Sequence, residues 1–248
     1  MVNDGSPDNT EEVARDYCNK DNRFKYIYQG NQGPATARNN GIKASSGEYI
    51  LPLDSDDLIS PTYIEKAVAY LDAHSDVKLV YSRSELFSET ERRECDMGKY
   101  TYKDFLLAEC LIFSASMYRR ADYDKTIGYN PNMIYGIEDW DFWITLLSPD
   151  DKVYQIDEVL FHYRVGENSM VSRKAMIYQE DACAILYRNH ADDYAPYVDR
   201  FVYYRMCFNK WKHFEELNAK IYSSSSYRLG HFLLSPFIAL KKILGRKS

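Results

Sequence analysis

Three carboxylates directly after an apolar run constrain this chain more than any other feature. Residues 49–53 (Tyr-Ile-Leu-Pro-Leu) are typical of a short buried strand, and Asp54, Asp56 and Asp57 follow it at once. Carboxylates at the C-terminal end of a strand lie where open α/β sheets bind ligands, and hard oxygen ligands suit Mg²⁺ or Mn²⁺. The alternative is a solvated acidic turn in which Asp57 or Ser60 begins the next helix.

Hydrophobic periodicity in the first part of the chain alternates between strands and helices. Strands are predicted at residues 24–30, 48–53 and 77–82, and helices at 11–18, 38–44 and 61–73. This alternation implies an α/β fold with a mostly parallel central sheet flanked by helices.

The second part of the chain becomes progressively helical. Residues 83–125 are less regular and highly charged, residues 139–147 predict a helix, and residues 152–165 predict a strand or hairpin. Long helical patterns dominate from 172 to 217, and the serine run at 223–226 is typical of a linker. A helical C-terminal region is therefore expected after the α/β part.

Composition excludes several classes of function. The 248 residues carry a net charge of −6, which argues against a general nucleic-acid binder. The five cysteines are scattered without a Cys-x-x-Cys pair, so neither a zinc site nor a disulfide framework is indicated. The sequence shows no signal-peptide pattern and no apolar run of about 18 residues. We therefore expect a cytoplasmic protein.

Four blocks of sequence, in a fixed order, resemble the inverting family 2 glycosyltransferases. They are Asn-Asp-Gly-Ser at 3–6, Gly-Pro-Ala-Thr-Ala-Arg-Asn-Asn-Gly-Ile at 33–42, Ser-Gly-Glu-Tyr-Ile at 46–50 and Gly-Ile-Glu-Asp-Trp-Asp-Phe-Trp at 136–143. The resemblance covers about residues 1 to 170 and implies the GT-A nucleotide-sugar-binding fold. It favours the metal site over the acidic turn at residues 54–57.

The resemblance also implies a division of the chain. Residues 1–170 are expected to form the catalytic domain, with a nucleotide-binding half at 1–82 and an acceptor half at 83–170, followed by the helical region 171–248. Family members normally have one more strand and helix before the Asn-Asp-Gly-Ser block. We therefore expect the chain to lack that strand and helix, to leave neighbouring strand edges unpaired, and to self-associate.

The resemblance implies a cofactor, Mn²⁺ or Mg²⁺, and a set of ligands for it. Asp56 matches the last acid of the family's Asp-x-Asp motif and is the expected direct metal ligand. Asp54 matches the first acid and is expected at the ribose, the metal or a metal-bound water. His162, near the end of the last predicted strand, is a further candidate ligand, although a lone histidine is more often structural.

The block at 136–143 is expected to supply the catalytic acids. Asp139 matches the second acid of the family's Glu-Asp pair and is the expected general base, with Glu138 orienting the acceptor or supporting the loop. The alternative is structural, since carboxylates favour helix N-termini. Trp140 is expected to line the sugar site, whereas the helical spacing of Trp143 favours the core.

Two further residues are assigned to the nucleotide sugar by the resemblance. Asp4 matches the acid that hydrogen-bonds the nucleobase, with an Asx turn before Gly5 as the alternative. Arg38 matches an arginine beside the base and phosphates, where a cation is useful.

Three functions follow as hypotheses. The first is metal-dependent, inverting transfer of a sugar from a nucleoside diphosphate donor, with UDP-sugar favoured, to a glycan or lipid-linked acceptor in polysaccharide biosynthesis. The second is a sugar nucleotidyltransferase, and the third is a non-catalytic nucleotide-sugar-binding protein.

The tail, residues 228–248, combines recurring apolar residues with four terminal basic residues. It is predicted to lie on the inner face of an anionic membrane as a peripheral anchor. The alternative is a helix docked on the protein's own core, and Pro236 interrupts the pattern in either case.

Overall fold

The computed structural model describes residues 1–95, 98–107, 110–166 and 170–198, together with Lys220, Ser223 and Ser224; of residues 170–179 it describes the backbone alone. The chain divides into two compact units, Met1–Pro196 and Tyr197–Ser248. The first unit contains the features below. The predicted linker and tail lie almost entirely outside the described residues, and so does most of the second unit.

Helices and strands alternate along the first unit. The helices are α1 Thr10–Lys20, α2 Pro34–Ala44, α3 Tyr63–Ala73, α4 Tyr102–Leu107, α5 Arg120–Tyr123, α6 Glu138–Leu146, α7 Met170–Asn189 and α8 Ala191–Tyr194, followed by a 3-10 turn at Ala195–Tyr197. The strands are β1 Val2–Asp4, β2 Ile27–Gln29, β3 Tyr49–Ile50, β4 Leu58–Ile59, β5 Val77–Phe87, β6 Arg92–Cys95, β7 Met117–Arg119 and β8 Lys152–Arg164. Each helix and strand predicted between residues 11 and 165 is present, most with bounds shifted by a few residues, and the helical pattern predicted at 172–217 extends beyond the described residues.

The strands form a mixed arrangement, so the predicted mostly parallel sheet is wrong. Strands β1 and β2 form a separate parallel pair, and a six-stranded sheet has the order β3-β7-β5-β8-β4 with β6 paired to β5. Within the larger sheet only β5 and β8 are parallel; β3–β7, β5–β7, β4–β8 and β5–β6 are antiparallel.

The antiparallel pairs arise from segments that the periodicity did not resolve. Strand β7 lies in the charged stretch 83–125 and inserts between β3 and β5, where a parallel neighbour was expected. Strand β4 is only two residues long and begins directly after the acidic residues. Strands this short carry too few residues to show a period of two.

A core lies between α3 and the large sheet. Tyr63, Ala67 and Leu71 on one face of α3 are at most 1% exposed and pack against residues of β5, β7 and β8. The helical pattern that predicts α3 consists of Ile64, Ala67, Val68 and Leu71. Ala67 and Leu71 lie in this core and Val68 packs against it, whereas Ile64 is exposed. The sheet is thereby fixed, and the loops at the strand ends are presented on a rigid frame.

No helix in the described parts of the chain is long and apolar enough to cross a membrane.

Candidate active site

The acid loop, residues 54–57, is a tight turn fixed to the end of β8. The Asp57 amide donates to the Asp54 carbonyl at 3.1 Å. The Arg164 amide donates to Asp57 Oδ1 at 2.8 Å, and Arg164 Nε donates to the Asp56 carbonyl at 2.8 Å. The loop therefore has a defined shape before any ligand binds, which reduces the cost of binding one.

Asp57 supports this loop and does not begin the next helix. Its side chain is buried, and burial raises the pKa of Asp57 to about 6, assisted by the nearby charges of Asp56 and Asp54. The N-cap of α3 is Thr62. The alternative interpretation, in which Asp57 or Ser60 starts α3, is therefore wrong.

Asp54 and Asp56 differ in what their carboxylates contact. Asp54 accepts two hydrogen bonds from Arg38 Nη2, at 2.8 and 3.0 Å. Asp56 is exposed, and within the described ranges no hydrogen bond to its carboxylate is present. Asp56 therefore offers hard oxygen atoms to a cation at no cost in existing protein contacts.

Arg38, on α2, joins the acid loop to the start of α6. Its Nη1 donates to Glu138 Oε1 at 2.5 Å while its Nη2 holds Asp54, and its guanidinium carbon lies 5.5 Å from the centre of the Tyr129 ring. The side chains of Arg38 and Glu138 are each 11% exposed. Arg38 thus connects two of the predicted site blocks through a partly desolvated ion pair, which is stronger than a surface pair.

A strained turn begins α6. Gly136 has φ 105° and Ile137 has φ 55°, and Ile137 is the N-cap of the helix. A β-branched residue rarely adopts a left-handed conformation, which costs roughly 1–3 kcal/mol. Such strain persists only where surrounding contacts hold the backbone, and here it sets the direction in which Glu138 and Asp139 enter the site.

Asp139 has the electrostatics of a base. Burial, and after it the charge of the adjacent Glu138, raise the pKa of its carboxyl to about 7, and Arg38 acts in the opposite direction. The Trp140 amide donates to Asp139 Oδ1 at 2.8 Å. The residue as a whole is partly exposed to solvent. A carboxylate with a pKa near neutrality is matched to proton abstraction at physiological pH.

His162 is engaged on both sides of its ring. Its Nε2 lies 2.9 Å from Ser60 Oγ, and its Nδ1 lies 2.8 Å from Glu85 Oε1. The same order of groups occurs in serine hydrolases. However, Pro61 follows Ser60 and has no N–H to offer an oxyanion, so the arrangement favours a structural role that joins β4, β5 and β8.

The described residues contain no group of three His, Cys, Asp or Glu side chains arranged to hold a metal ion. Asp54, Asp56 and His162 therefore do not form a preassembled three-ligand site. A metal at the acid loop would take one or two carboxylates and complete its shell with substrate phosphate and water, as Mg²⁺ usually does.

Asp4 shapes the loop before α2. Its Oδ1 accepts from Gln29 Nε2 at 2.7 Å and from the Gln32 amide at 2.8 Å, and its Oδ2 accepts from the Gly33 amide at 2.8 Å. The side chain of this block that bonds the local backbone is instead Asn3, whose Oδ1 accepts from the Ser6 amide at 2.8 Å. The alternative predicted for Asp4 is therefore wrong. Its role at a nucleobase stays a prediction.

Two asparagines beside Arg38 were not identified from the sequence as site residues. Asn39 Nδ2 donates to the Tyr129 carbonyl at 2.7 Å, and its Oδ1 accepts from the Tyr129 amide at 2.9 Å. Asn40 Nδ2 donates to Gln29 Oε1 at 2.7 Å, which extends the contacts of Asp4 to α2. Asparagine is unfavourable inside helices, so two in succession after Arg38 were the available signal.

The two tryptophans of α6 have different surroundings. Trp143 is fully buried, which confirms the core position that its spacing predicted. Trp140 is partly exposed, and its Nε1 donates to the Phe105 carbonyl at 3.0 Å. Its place beside a sugar stays a prediction.

A family model described as Glycosyl transferase family 2 matches residues 1–127, which is half of the chain. The chain belongs to glycosyltransferase family 2. Family membership supports the hypothesis of sugar transfer rather than that of nucleotidyl transfer. The matched segment includes Asp4, Arg38 and the acid loop, and it ends before Glu138 and Asp139.

Several curated proteins resemble this family 2 chain. The putative glycosyltransferase EpsH of Bacillus subtilis is 28% identical over 243 residues, covering 86% of this chain and 68% of that protein. The minor teichoic acid biosynthesis protein GgaB of the same organism is 30% identical over 71% of this chain and 20% of its own length. The uncharacterized glycosyltransferase MJ1057 of Methanocaldococcus jannaschii is 30% identical over 62% of this chain and 55% of its own.

Solved structures share the fold. Staphylococcus aureus TarS 1-349 in complex with UDP-GlcNAc gives a TM-score of 0.56 at 22% identity, covering 69% of this chain and 50% of that one. The mannosyltransferase PcManGT from Pyrobaculum calidifontis, in complex with GDP-Man and Mn²⁺, gives 0.54 at 16% identity and covers 99% of this chain and 77% of that one. At these sequence identities the structural similarity shows a GT-A-like α/β fold, and it carries no conclusion about the substrate.

The family 2 chain spans between half and about two thirds of the length of most of these relatives. The family model begins at residue 1, and the absence of a first strand and helix stays a prediction.

Proposed function

We propose that this protein transfers a sugar from a nucleoside diphosphate sugar to a hydroxyl group of an acceptor, with inversion at the anomeric carbon. The observation that carries the proposal is the ion-paired bridge of Arg38 to Asp54 and Glu138. It brings the acid loop and the Glu138–Asp139 pair to one guanidinium group. The proposed donor site and the proposed base would thus be neighbours, as a displacement reaction requires.

Asp139 is the proposed general base. Its carboxylate takes the proton of the acceptor hydroxyl, whose oxygen forms a bond to the anomeric carbon from the face opposite the leaving group. The bond from that carbon to the diphosphate breaks, and the nucleoside diphosphate leaves with the electron pair. Glu138 remains paired with Arg38 and fixes the orientation of α6 at its first residue.

A divalent cation, Mn²⁺ or Mg²⁺, fits the acid loop. Asp56 is the proposed direct ligand because its carboxylate is exposed and makes no hydrogen bond to the described residues, and Asp54 is the second candidate. When bound, the cation would neutralise negative charge on the leaving diphosphate. PcManGT, with which this chain shares a fold, binds Mn²⁺ with GDP-Man.

The proposed donor is a UDP-sugar, and the proposed acceptor is a glycan or lipid-linked glycan. TarS binds UDP-GlcNAc, and GgaB is named for teichoic acid biosynthesis. These relatives support a role in polysaccharide synthesis. A location at the cytoplasmic face of the membrane, the tail as a peripheral anchor, and self-association are proposed from the sequence alone. Asp4 and Arg38 are proposed to contact the nucleotide, and Trp140 the sugar.

The proposal is tested by measuring release of nucleoside diphosphate. The protein is incubated with Mn²⁺ and a panel of UDP-, GDP- and dTDP-sugars, with and without simple glycan acceptors, and the anomeric configuration of the product is determined by NMR. We expect release with one nucleotide class and an inverted product. A retained configuration would contradict the proposed chemistry, and tight donor binding without turnover would identify a non-catalytic binding protein.

A further inference from the structure

We infer that Asn189 and His190, at the end of α7, are positioning residues for the Glu138–Asp139 pair. The inference rests on the proposed function for its consequence in catalysis, although its structural part stands independently. Neither residue touches the acid loop. His190 contacts Asp141, which follows the turn that begins α6, and Asn189 contacts residues on both sides of that turn. Both residues lie outside the sequence blocks that identified the site.

The first contact of this pair is with Asp141, in the first turn of α6. Asp141 Oδ1 accepts from Asn189 Nδ2 at 2.6 Å and from His190 Nε2 at 3.0 Å. The side chains of Asp141 and His190 are 1% and 8% exposed. Hydrogen bonds to a carboxylate in such a dry place are strong, so the end of α7 fixes the C-terminal side of the turn.

The second contact is with the segment that precedes the turn. Asn189 and Asn132 exchange two side-chain hydrogen bonds, at 3.0 and 3.1 Å, and Asn189 Nδ2 also lies 3.5 Å from Met133 Sδ. A single asparagine therefore holds both residue 132, before the turn, and Asp141, after it. The segment between these anchors contains Glu138 and Asp139.

Backbone strain explains why the turn needs two anchors. Gly136 and Ile137 both have positive φ, and Ile137 is β-branched. A strained conformation relaxes when the contacts that hold it are removed. Asp141 follows Asp139 by two positions, which places it about 200° around the helix. A shift of Asp141 would therefore turn α6 and move the carboxylate of Asp139 away from the acceptor.

The buried oxygen of Asp141 supports this role rather than a ligand site. Its Oδ2 has no hydrogen-bond partner among the described residues and is closed to solvent. An unpaired carboxylate oxygen is unfavourable in such a place, so the contacts of this side chain are those of its other oxygen. Its Oδ1 joins α6 to the end of α7 through Asn189 and His190, so Asp141 acts on Asp139 through the helix that carries both.

The test compares His190→Leu with His190→Gln, which keeps a hydrogen-bond donor, and with Asp122→Asn. Asp122 is a buried acid on α5, similar to His190 in exposure, with ion pairs to Lys78 and Lys125. The readouts are amide hydrogen exchange of residues 132–142 and the separate values of kcat and donor KM.

In His190→Leu we expect amide hydrogen exchange to become faster in residues 132–142 and not elsewhere. We expect kcat to fall by roughly tenfold to a hundredfold, as for misplaced catalytic groups, and the donor KM to stay within about twofold of that of the unmodified protein. His190→Gln should bring the exchange rate and kcat much of the way back to those of the unmodified protein. Asp122→Asn should change neither the exchange of this segment nor kcat beyond its effect on global stability. Unchanged exchange in that segment, or an equal change in the Asp122→Asn control, would overturn the inference. If the unmodified protein transfers no sugar, the proposed function fails and the exchange result alone decides the positioning role.

Discussion

Arg38 and Glu138 are one hundred positions apart in the chain, yet their side chains form a hydrogen-bonded ion pair. One lies on α2, within the segment matched by the family model, and the other begins α6, beyond it. Because Arg38 also pairs with Asp54, one side chain connects the acid loop directly to the first turn of α6. The five tests below concern residues of this bridge or the acids beside it.

Replacement of Arg38 by methionine should destabilise the protein. Glu138 would be left as a largely buried charge without its partner, and breaking a buried pair costs about 3 kcal/mol of unfolding free energy. The side chain of Asp54 is 41% exposed, so its carboxylate would be hydrated and would add little to this loss of stability. The measurement is urea denaturation at pH 7.5 followed by circular dichroism.

A surface pair of the same type provides the control. Arg15 and Glu11 form an ion pair on α1 with exposed fractions of 62% and 51%, so Arg15→Met should change stability by less than about 1 kcal/mol. Adding Glu138→Gln to Arg38→Met should recover part of the loss, because the unpaired charge is removed. If both arginine variants are equally stable, the Arg38 bridge carries no more energy than a surface contact.

Replacement of Asp139 by asparagine should remove turnover and spare donor binding. The side chain keeps its shape and its contact with the Trp140 amide but can no longer accept a proton. We expect kcat to fall by roughly a hundredfold or more, at the lower end of the contribution of a general base, with the donor Kd unchanged in calorimetry. Equal losses in donor affinity and turnover would instead assign Asp139 to donor binding.

Sequence patterns identified the helices and the site blocks because each depends on local spacing. The apolar face of α3 and the acidic residues at 54–57 are visible within short windows. The resemblance to family 2 then grouped Asp4, Arg38, Asp54 and Asp139, and the structure brings Arg38, Asp54 and Glu138 into contact.

Pairing between distant segments could not be predicted in the same way. The antiparallel insertion of β7 next to β3 depends on residues about seventy positions apart, and strands of two or three residues show no period. The contacts of Asn189 and His190 with Asp141 likewise join α7 to α6 through single polar residues. Nothing in a helical pattern distinguishes such residues from a solvated helix end.

Replacement of Asp56 by alanine should abolish Mn²⁺-dependent binding of nucleoside diphosphate. Asp56 is the acid of this loop whose carboxylate makes no hydrogen bond to the described residues, so its removal should leave the fold intact and remove a metal ligand. Calorimetry with UDP, GDP and Mn²⁺ is the measurement. Asp76→Ala, which removes an exposed carboxylate paired with Lys152, is the control. Unchanged Mn²⁺-dependent affinity in Asp56→Ala would exclude it as a ligand.

The stability of the acid loop should depend on pH through Asp57. Its pKa is raised from 3.8 to about 6 in the folded protein, so the folded state holds the proton more tightly than the unfolded chain. Its contribution to stability is therefore complete below about pH 4 and is lost as the pH rises through about 6. Asp57→Asn keeps the Oδ1 acceptor for the Arg164 amide and carries no charge. The unfolding free energy of Asp57→Asn, relative to that of the unmodified protein, should therefore increase from pH 5 to pH 8.

An acid with the opposite shift controls for this measurement. The ion pair with Lys152 lowers the pKa of Asp76, so Asp76→Asn should give a difference that is constant between pH 5 and pH 8. If Asp57→Asn also gives a constant difference over that range, Asp57 is ionised throughout and its burial has no energetic effect.

The pH dependence of transfer should report the charges around Asp139. A base must be ionised to accept a proton, so kcat/KM should rise with pH and level off above the pKa of about 7 that burial and Glu138 give to Asp139. Arg38 lowers that pKa, so Arg38→Met should raise it and shift the midpoint of the profile to higher pH. The profiles are measured at a temperature at which both proteins are folded, with Arg15→Met as the control that removes an equal but distant charge. A midpoint that moves to lower pH in Arg38→Met, or equally in both variants, would show that the titrating base is not the carboxylate beside Arg38.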